Sequence, residues 1–398
     1  MKEINTKMKI LYDLYFAQPI GSSKFHGGGE YIKTVFQHLV TSFNGANEIC
    51  VCYDHERFLD DWLKLLIADN DIKAYDVKAA SDIPNVLNKN EINVFFTGLA
   101  YGYADFKLPE NVYRIGTIHG LRSLEKPWDE YAYLYSNINH TRKTKERIKS
   151  ILNKNGFDYY TQKEVSRYNR VISNFDAIIT VSRHSKFAIK CWIDNIAESM
   201  IHVYYSPIKY VEMSQIVSDV ENIPKKYILM IGGNRWIKNA SRSIFSIEQL
   251  FSKGELKDYK VVVCGKVPNK IISSIKNPER YLILDYVKPE MLEYLYQHCE
   301  FFLYLSLNEG FGIPPLEAMK YGKTVVTSSI CSIPEIYGNS VYYANPYDVK
   351  EIQNRILQAD SIKIDNKIIQ DRFELIQAKQ KSDLHSLCEF IVSGGTNV

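Results

Sequence analysis

From one end of the chain to the other, short runs of β-branched and aromatic residues alternate with stretches of helical periodicity, and no other feature constrains the fold as strongly. A chain written in this way buries its strands on both faces, so it folds as parallel sheets covered by helices. A first series of strands is expected at 9–16, 48–53, 93–97, 112–118, 177–181 and 201–205, and a second at 227–231, 260–264, 281–284, 301–305, 324–327 and 341–343. The helix after the first strand, starting near Glu30, shows one apolar face through Ile32, Val35, Phe36, Leu39, Val40 and Phe43. Pro289 and Pro315 suit first helical positions. At 398 residues the chain exceeds what one core usually holds. Two Rossmann-like domains are therefore expected, at 1–206 and 222–370, with a polar hinge around Pro207 and Pro224 and a helical segment at 371–398.

Charge and cysteine usage narrow the function classes. Lysine and arginine number 49 against 46 acidic residues, and a net charge of +3 gives no general footing for nucleic acid. One stretch departs from this balance. A helical insertion at 124–174 carries Arg142, Lys143, Lys145, Arg147, Lys149 and Lys154 against Glu146, so the 141–154 face suits anionic lipid headgroups or a phosphate-bearing acceptor, or is simply solvated surface. The seven cysteines form no C-x-x-C pair and lie mostly in apolar runs, as expected for buried thiols in a reducing cytoplasm. No stretch approaches the apolar length of a membrane span, so a cytoplasmic protein, peripheral at most on the inner face of the membrane, is expected.

Parallel sheets hold ligands in the loops at the C-terminal ends of their strands. Those loops lack the dinucleotide fingerprint G-x-G-x-x-G, and Gly322-Lys323-Thr324 fails as a phosphate loop because Glu stands at 317 and the triplet joins a helix to a strand. Four features remain. Gly27-Gly28-Gly29 precedes a helix, where bare amides suit an anion or merely make a flexible turn. Gly232-Gly233-Asn234-Arg235-Trp236-Ile237-Lys238 sets two cations at the head of the second domain, suited to a diphosphate or to a capped helix start. His119 ends a first-domain strand, as a ligand contact or a packing residue. Finally, Glu309-Gly310-Phe311-Gly312-Ile313-Pro314-Pro315-Leu316-Glu317-Ala318-Met319 places Glu309 at a strand end and Glu317 in the first turn of a helix begun at Pro314 or Pro315. A helix dipole accounts for Glu317 but not for Glu309 or the glycines.

At this last motif the chain resembles the family 4 glycosyltransferases (glycosyl transferases group 1) of the GT-B fold, whose E-x7-E signature matches Glu309 and Glu317. The segments 177–182 and 332–336 agree with the family in order. The resemblance implies two Rossmann-like domains facing each other across a cleft, the first binding the acceptor and the second the donor. It implies a retaining enzyme that moves a sugar from a UDP-, GDP- or dTDP-linked donor to a glycan or lipid-linked acceptor, without cofactor or metal. Glu309 would contact donor-sugar hydroxyls, Glu317 the ribose, and Lys238 the diphosphate. The family's Arg, five residues ahead of that Lys, is here Gly233, so its role passes to Arg235. His119 would stand near the reacting sugar. Gly28, Gly29, Gly233, Gly310, Phe311 and Gly312 would line the donor's phosphates.

Three competing readings have their own signatures. Asp69-Asn70-Asp71 spells the D-x-D of metal-dependent glycosyltransferases, but it follows an amphipathic helix (58–68) and reads as a polar turn. A glycoside hydrolase would set its two carboxyls across one bond. A non-catalytic sugar-nucleotide or glycan-binding subunit on the same fold would lose some of Glu309, Lys238 and His119, which are all present, while the displaced Arg keeps that reading open.

Overall fold

In the computed structural model, residues 7–19, 26–43, 45, 47–135, 154–208, 222–285 and 287–396 are described. The chain divides into two compact units, one of Met1–Leu121, Tyr160–Lys209 and Gln377–Val398, the other of Arg122–Tyr159 and Tyr210–Ile376.

The first unit is built on a seven-stranded sheet of β1 (Lys9–Asp13), β2 (Glu48–Tyr53), β3 (Lys73–Asp76), β4 (Val94–Thr97), β5 (Tyr113–Ile118), β6 (Ala177–Thr180) and β7 (Ile201–Val203). Its order is β3-β2-β1-β4-β5-β6-β7, and every pairing is parallel. The strand order reverses between β1 and β4, which makes the crevice above their C-terminal ends the natural ligand position. The helix Gly27–Phe43 covers the sheet with Ile32, Val35, Phe36 and Leu39, all fully buried. It begins three residues earlier than its apolar face suggests, so the glycine triplet is its first turn and not a loop ahead of it.

The second unit repeats the plan with six parallel strands, β8 (Tyr227–Ile231), β9 (Lys260–Cys264), β10 (Tyr281–Leu284), β11 (Phe301–Tyr304), β12 (Thr324–Ser328) and β13 (Tyr342–Ala344), in the order β10-β9-β8-β11-β12-β13. Here the order reverses between β8 and β11. Ile228, Val261, Val263, Phe301 and Val326 meet Ile244, Ile247 and Ile352 of the flanking helices in one core.

Three expectations need correction. The segment Arg122–Tyr135 leaves β5 of the first sheet yet packs with the second unit, so it is not an insertion of the first. A buried bidentate pair holds it there. Arg242 Nη1 and Nη2 donate to the two Asp129 oxygens at 3.0 and 3.1 Å, and Nη2 also donates to Glu130 at 2.8 Å. The last helix, Asn366–Val392, is not a separate C-terminal segment from 371. Arg372 donates to the Glu335 and Ile336 carbonyls of the second unit, whereas Gln380 and Asp383 bond the backbone of Ser206 and Tyr205 in the first. Among the cysteines, Cys191 is exposed and Cys331 half-buried, while the other five are buried thiols as expected. The basic face at 141–154 lies outside the residues whose side chains are described. Among the described residues, no helix is long and apolar enough to cross a membrane.

Candidate functional site

The switch point of the second sheet collects the charged residues singled out in the sequence. After β8 the chain passes Gly232, at φ 75°, and enters a single 3-10 turn, Trp236–Lys238. A Cβ on Gly232 would lie 2.7 Å from Lys238 Cγ, so only glycine lets the lysine stem lie against the backbone there. After β11, the Leu307 amide donates to the Ile237 carbonyl at 2.7 Å, with the Ser306 hydroxyl oxygen 3.1 Å from the same carbonyl, which ties the two loops together.

This tie brings Lys238 and Glu309 into contact at 2.5 Å, with side chains only 13% and 14% exposed. Tyr304 and Ser306 also donate to the same carboxylate oxygen, Oε1, at 2.6 and 2.5 Å. With three donors on Oε1, Oε2 is the oxygen left to a ligand. Burial pushes the Glu309 carboxyl up, but Lys238 and the two hydroxyls outweigh it and hold the group below its ordinary range, as a carboxylate. Burial pulls the Lys238 ammonium down, against the pull of Glu309. The ammonium also donates to Tyr304 Oη at 2.6 Å. Arg235 is exposed at the mouth of the same turn and lowers the Lys238 value by like charge.

The glycines of this region serve geometry more than ligand binding. The Gly233 amide already donates to the Cys264 carbonyl at 3.1 Å, and a Cβ there would meet the Gly265 carbonyl oxygen at 2.5 Å. Its amide is therefore engaged in backbone packing. Gly312, at φ 87°, caps the helix Ile313–Met319, and its Cβ would meet Ile333 at 2.5 Å. Between Glu309 and Gly312, Gly310 is half-buried and Phe311 is buried.

Glu317 sits in the second turn of that helix, one turn later than expected, so the dipole does not explain it. Burial pushes its carboxyl up to about 7, against the Tyr296 hydroxyl that donates to Oε2 at 2.8 Å.

In the first unit, His119 follows β5. Its Nε2 lies 2.9 Å from the Gly98 carbonyl, and its ring meets Tyr31 edge-on at 4.7 Å. Burial holds the imidazole down to about 4, so it is neutral. A carbonyl only accepts, so Nε2 carries the proton and Nδ1 presents a lone pair. At the start of the helix Gly27–Phe43 the Gly29 amide donates to His26 Nδ1 at 3.0 Å, which uses the donor that the sequence offered to a phosphate. Gly28 packs on Leu99, while the Gly27 and Gly28 amides have no partner among the described residues.

Sequence reasoning missed Tyr304 and Ser306. The signal was present as two hydroxyl residues closing an otherwise apolar strand just ahead of Glu309. Asn308, which opens the motif that Glu309 belongs to, has an amide that donates to Glu125 at 3.1 Å and to Cys331 Sγ at 3.2 Å. The Asp69-Asn70-Asp71 triplet closes the helix Asp61–Asp69 as a turn, with Asp71 at φ 50° and the Asn70 side chain donating to the Leu66 carbonyl.

The family match falls almost entirely in the second unit. Residues 215–377 match the family described as glycosyl transferases group 1. The serotype-specific mannosyltransferase WbdA of Escherichia coli is 28% identical over 193 residues, which is 45% of this chain and 24% of WbdA. The O-antigen chain mannosyltransferase RfbU of Salmonella typhimurium strain LT2 is 26% identical over 191 residues, 46% of this chain and 51% of RfbU. The chain thus spans about a quarter to a half of the length of these relatives. In structure, Anabaena HepE, solved with UDP and glucose, superposes with a TM-score of 0.65 at 13% identity, over 97% of this chain and all of that one, a likeness of fold.

Proposed function

We propose, from the match of residues 215–377 to the glycosyl transferases group 1, that the protein transfers a sugar, mannose in the first instance, from a nucleotide-diphosphate donor to a hydroxyl of a surface glycan. The observation that carries this reading is the Lys238–Glu309 pair at the switch point of the second sheet, a fixed cation beside a carboxylate with one open oxygen.

The roles follow from charge. Breaking the bond between C1 and the phosphate leaves positive charge on the sugar and negative charge on the nucleoside diphosphate. Lys238 and Arg235 meet the diphosphate, and Glu309 Oε2 accepts from hydroxyls of the sugar. Preset contacts of this kind contribute about 3 kcal/mol each to the transition state. Glu317, further along the helix, accepts from the ribose. His119 is too weak a base to hold the acceptor's proton, but its Nδ1 lone pair can orient a sugar hydroxyl. We therefore assign transfer with retention on one face of the sugar. The acceptor oxygen bonds C1 as the C1–phosphate bond breaks, its electron pair goes to the diphosphate, and the acceptor proton passes to a phosphate oxygen. No metal ion is required by this scheme, because Lys238 and Arg235 supply the positive charge. The same reading places the enzyme in the cytoplasm, with residues 141–154 meeting anionic lipid, which flotation with anionic vesicles at low salt tests.

The transfer itself is tested with a panel of GDP-mannose, UDP-, ADP- and dTDP-sugars and a mannose-terminated glycan, with and without EDTA. The expected result is nucleotide release from one donor, undiminished by EDTA, and a product whose anomeric proton signal shows the donor's configuration. Release from none of them overturns the proposal.

A further inference from the structure

Among the described residues of the first unit, one arginine has a buried Nε without a hydrogen-bonding partner. The helix Lys154–Ile172 turns Glu164, Tyr168 and Val171 inward, and all three are buried. The Tyr168 hydroxyl reaches the Gly120 carbonyl at 3.5 Å, one residue from His119. Its ring lies 5.3 Å from that of Tyr101, whose hydroxyl donates to Glu164 Oε2 at 3.2 Å. Tyr101 follows Gly98, the residue that holds His119. The cluster therefore stands at the C-terminal ends of β4 and β5, where a parallel sheet takes its ligands.

Arg167 lies over the Tyr101 ring at 4.1 Å. Its Nε is buried and has no hydrogen-bond partner. Four other described arginines are satisfied within the fold: Arg114 pairs with Asp176, Arg242 with Asp129, and Arg280 and Arg372 with backbone carbonyls; Arg355 also has a buried Nε without a partner, but its Nη1 donates to Gln358 at 2.8 Å. The nearby carboxylate, Glu164, accepts from Tyr101 through one oxygen. A buried guanidinium N–H without an acceptor is costly, and stacking on an aromatic ring fixes the plane of the fork without using its donors.

Resting on the transferase reading above, we propose that Arg167, stacked on Tyr101 and flanked by Glu164, forms an acceptor subsite for an oxyanion, the phosphate or carboxylate of a charged sugar, next to His119. The guanidinium edge takes the oxyanion through paired N–H donors, as it does best with planar or tetrahedral oxyanions. The second oxygen of Glu164 and the ring of Tyr160, 43% exposed at the outer end of the same face, suit the hydroxyls and the apolar side of the sugar ring.

The test uses the full chain and no donor. Mannose 1-phosphate, glucuronic acid and methyl α-mannoside are titrated calorimetrically into wild type, Arg167→Gln and Arg235→Gln. At least one of the two charged sugars should bind wild type about tenfold more tightly than the neutral glycoside. Which of the two it is identifies the oxyanion. Arg167→Gln should lose that preference while keeping its melting temperature and the weak binding of methyl α-mannoside, and Arg235→Gln should keep it. A preference that survives Arg167→Gln, or that disappears in Arg235→Gln, places the anion in the second unit and overturns the proposal, as does the absence of any preference. With no donor present, failure here leaves the donor site untouched, and failure of donor turnover leaves this result readable.

Discussion

Each sheet has a glycine-led segment at the point where its strand order reverses, a helix start in the first unit and a loop in the second, and the two use glycine differently. In the first unit Gly27, Gly28 and Gly29 open a helix; His26 takes the Gly29 amide, and a Cβ on Gly27 would have nothing within 4 Å. In the second unit Gly232 and Gly233 lie against Lys238 and Gly265, with no room for a methyl group. The same difference runs through the charges. His119 is neutral, held by one carbonyl and one ring edge, whereas Lys238 and Glu309 are clamped by each other and two hydroxyls. One side is built to stay uncharged and the other to hold charge in place. A glycine run in a sequence therefore does not by itself mark a phosphate cradle; the partner of each amide decides.

The comparison can be broken at several points, starting where the effect should be largest. Asp129→Ala leaves Arg242 buried without its bidentate partner, which should destabilise the second unit by about 3–5 kcal/mol in urea unfolding. A change below about 1 kcal/mol would mean that the segment Arg122–Tyr135 is not held as described. Next, Lys238→Ala should lower donor turnover by about 10²- to 10³-fold, while Arg235→Ala, at an exposed position, should cost nearer tenfold. Equal losses would show that the buried pair has no special standing. Gly233→Ala should cost about 1–3 kcal/mol through collision with the Gly265 carbonyl, against no more than about 0.5 kcal/mol for Gly27→Ala. Similar values would erase the contrast between the two glycine segments.

The smallest effect concerns Glu317. Its carboxyl is pushed up to about 7, so the folded chain binds that proton more tightly than the unfolded chain, and stability falls as the pH rises from the ordinary carboxylate range through 7. Glu317→Gln removes this penalty and can still accept from Tyr296. The variant should melt about 3 °C above wild type at pH 8 and level with it at pH 4. A gap that does not grow with pH would contradict the burial argument.

Much of this was legible in the sequence for a physical reason. Strands buried on both faces are continuous apolar runs, and β8, β9 and β10 fall where those runs predict. The edge strand β3 was missed because Lys73-Ala74-Tyr75-Asp76 is short and polar at both ends. Lys238, Glu309 and Glu317 stood out because charge in a glycine-rich strand-end loop has few structural uses. The docking of 122–135 on the second unit could not be read, because Arg242 and Asp129 are 113 residues apart and neither carries a local pattern. The partners of the Gly233 and Gly29 amides could not be read, because a bare amide in a sequence gives no sign of the carbonyl or imidazole that claims it.

The most direct test of the central claim is calorimetric titration of UDP, GDP, ADP and dTDP into wild type and Lys238→Ala in the presence of EDTA. The account predicts that one nucleotide diphosphate binds wild type without metal, and that Lys238→Ala weakens it at least about tenfold with no change in melting temperature. Equal affinity in the two proteins, or binding that appears only when a divalent cation is added, would contradict it.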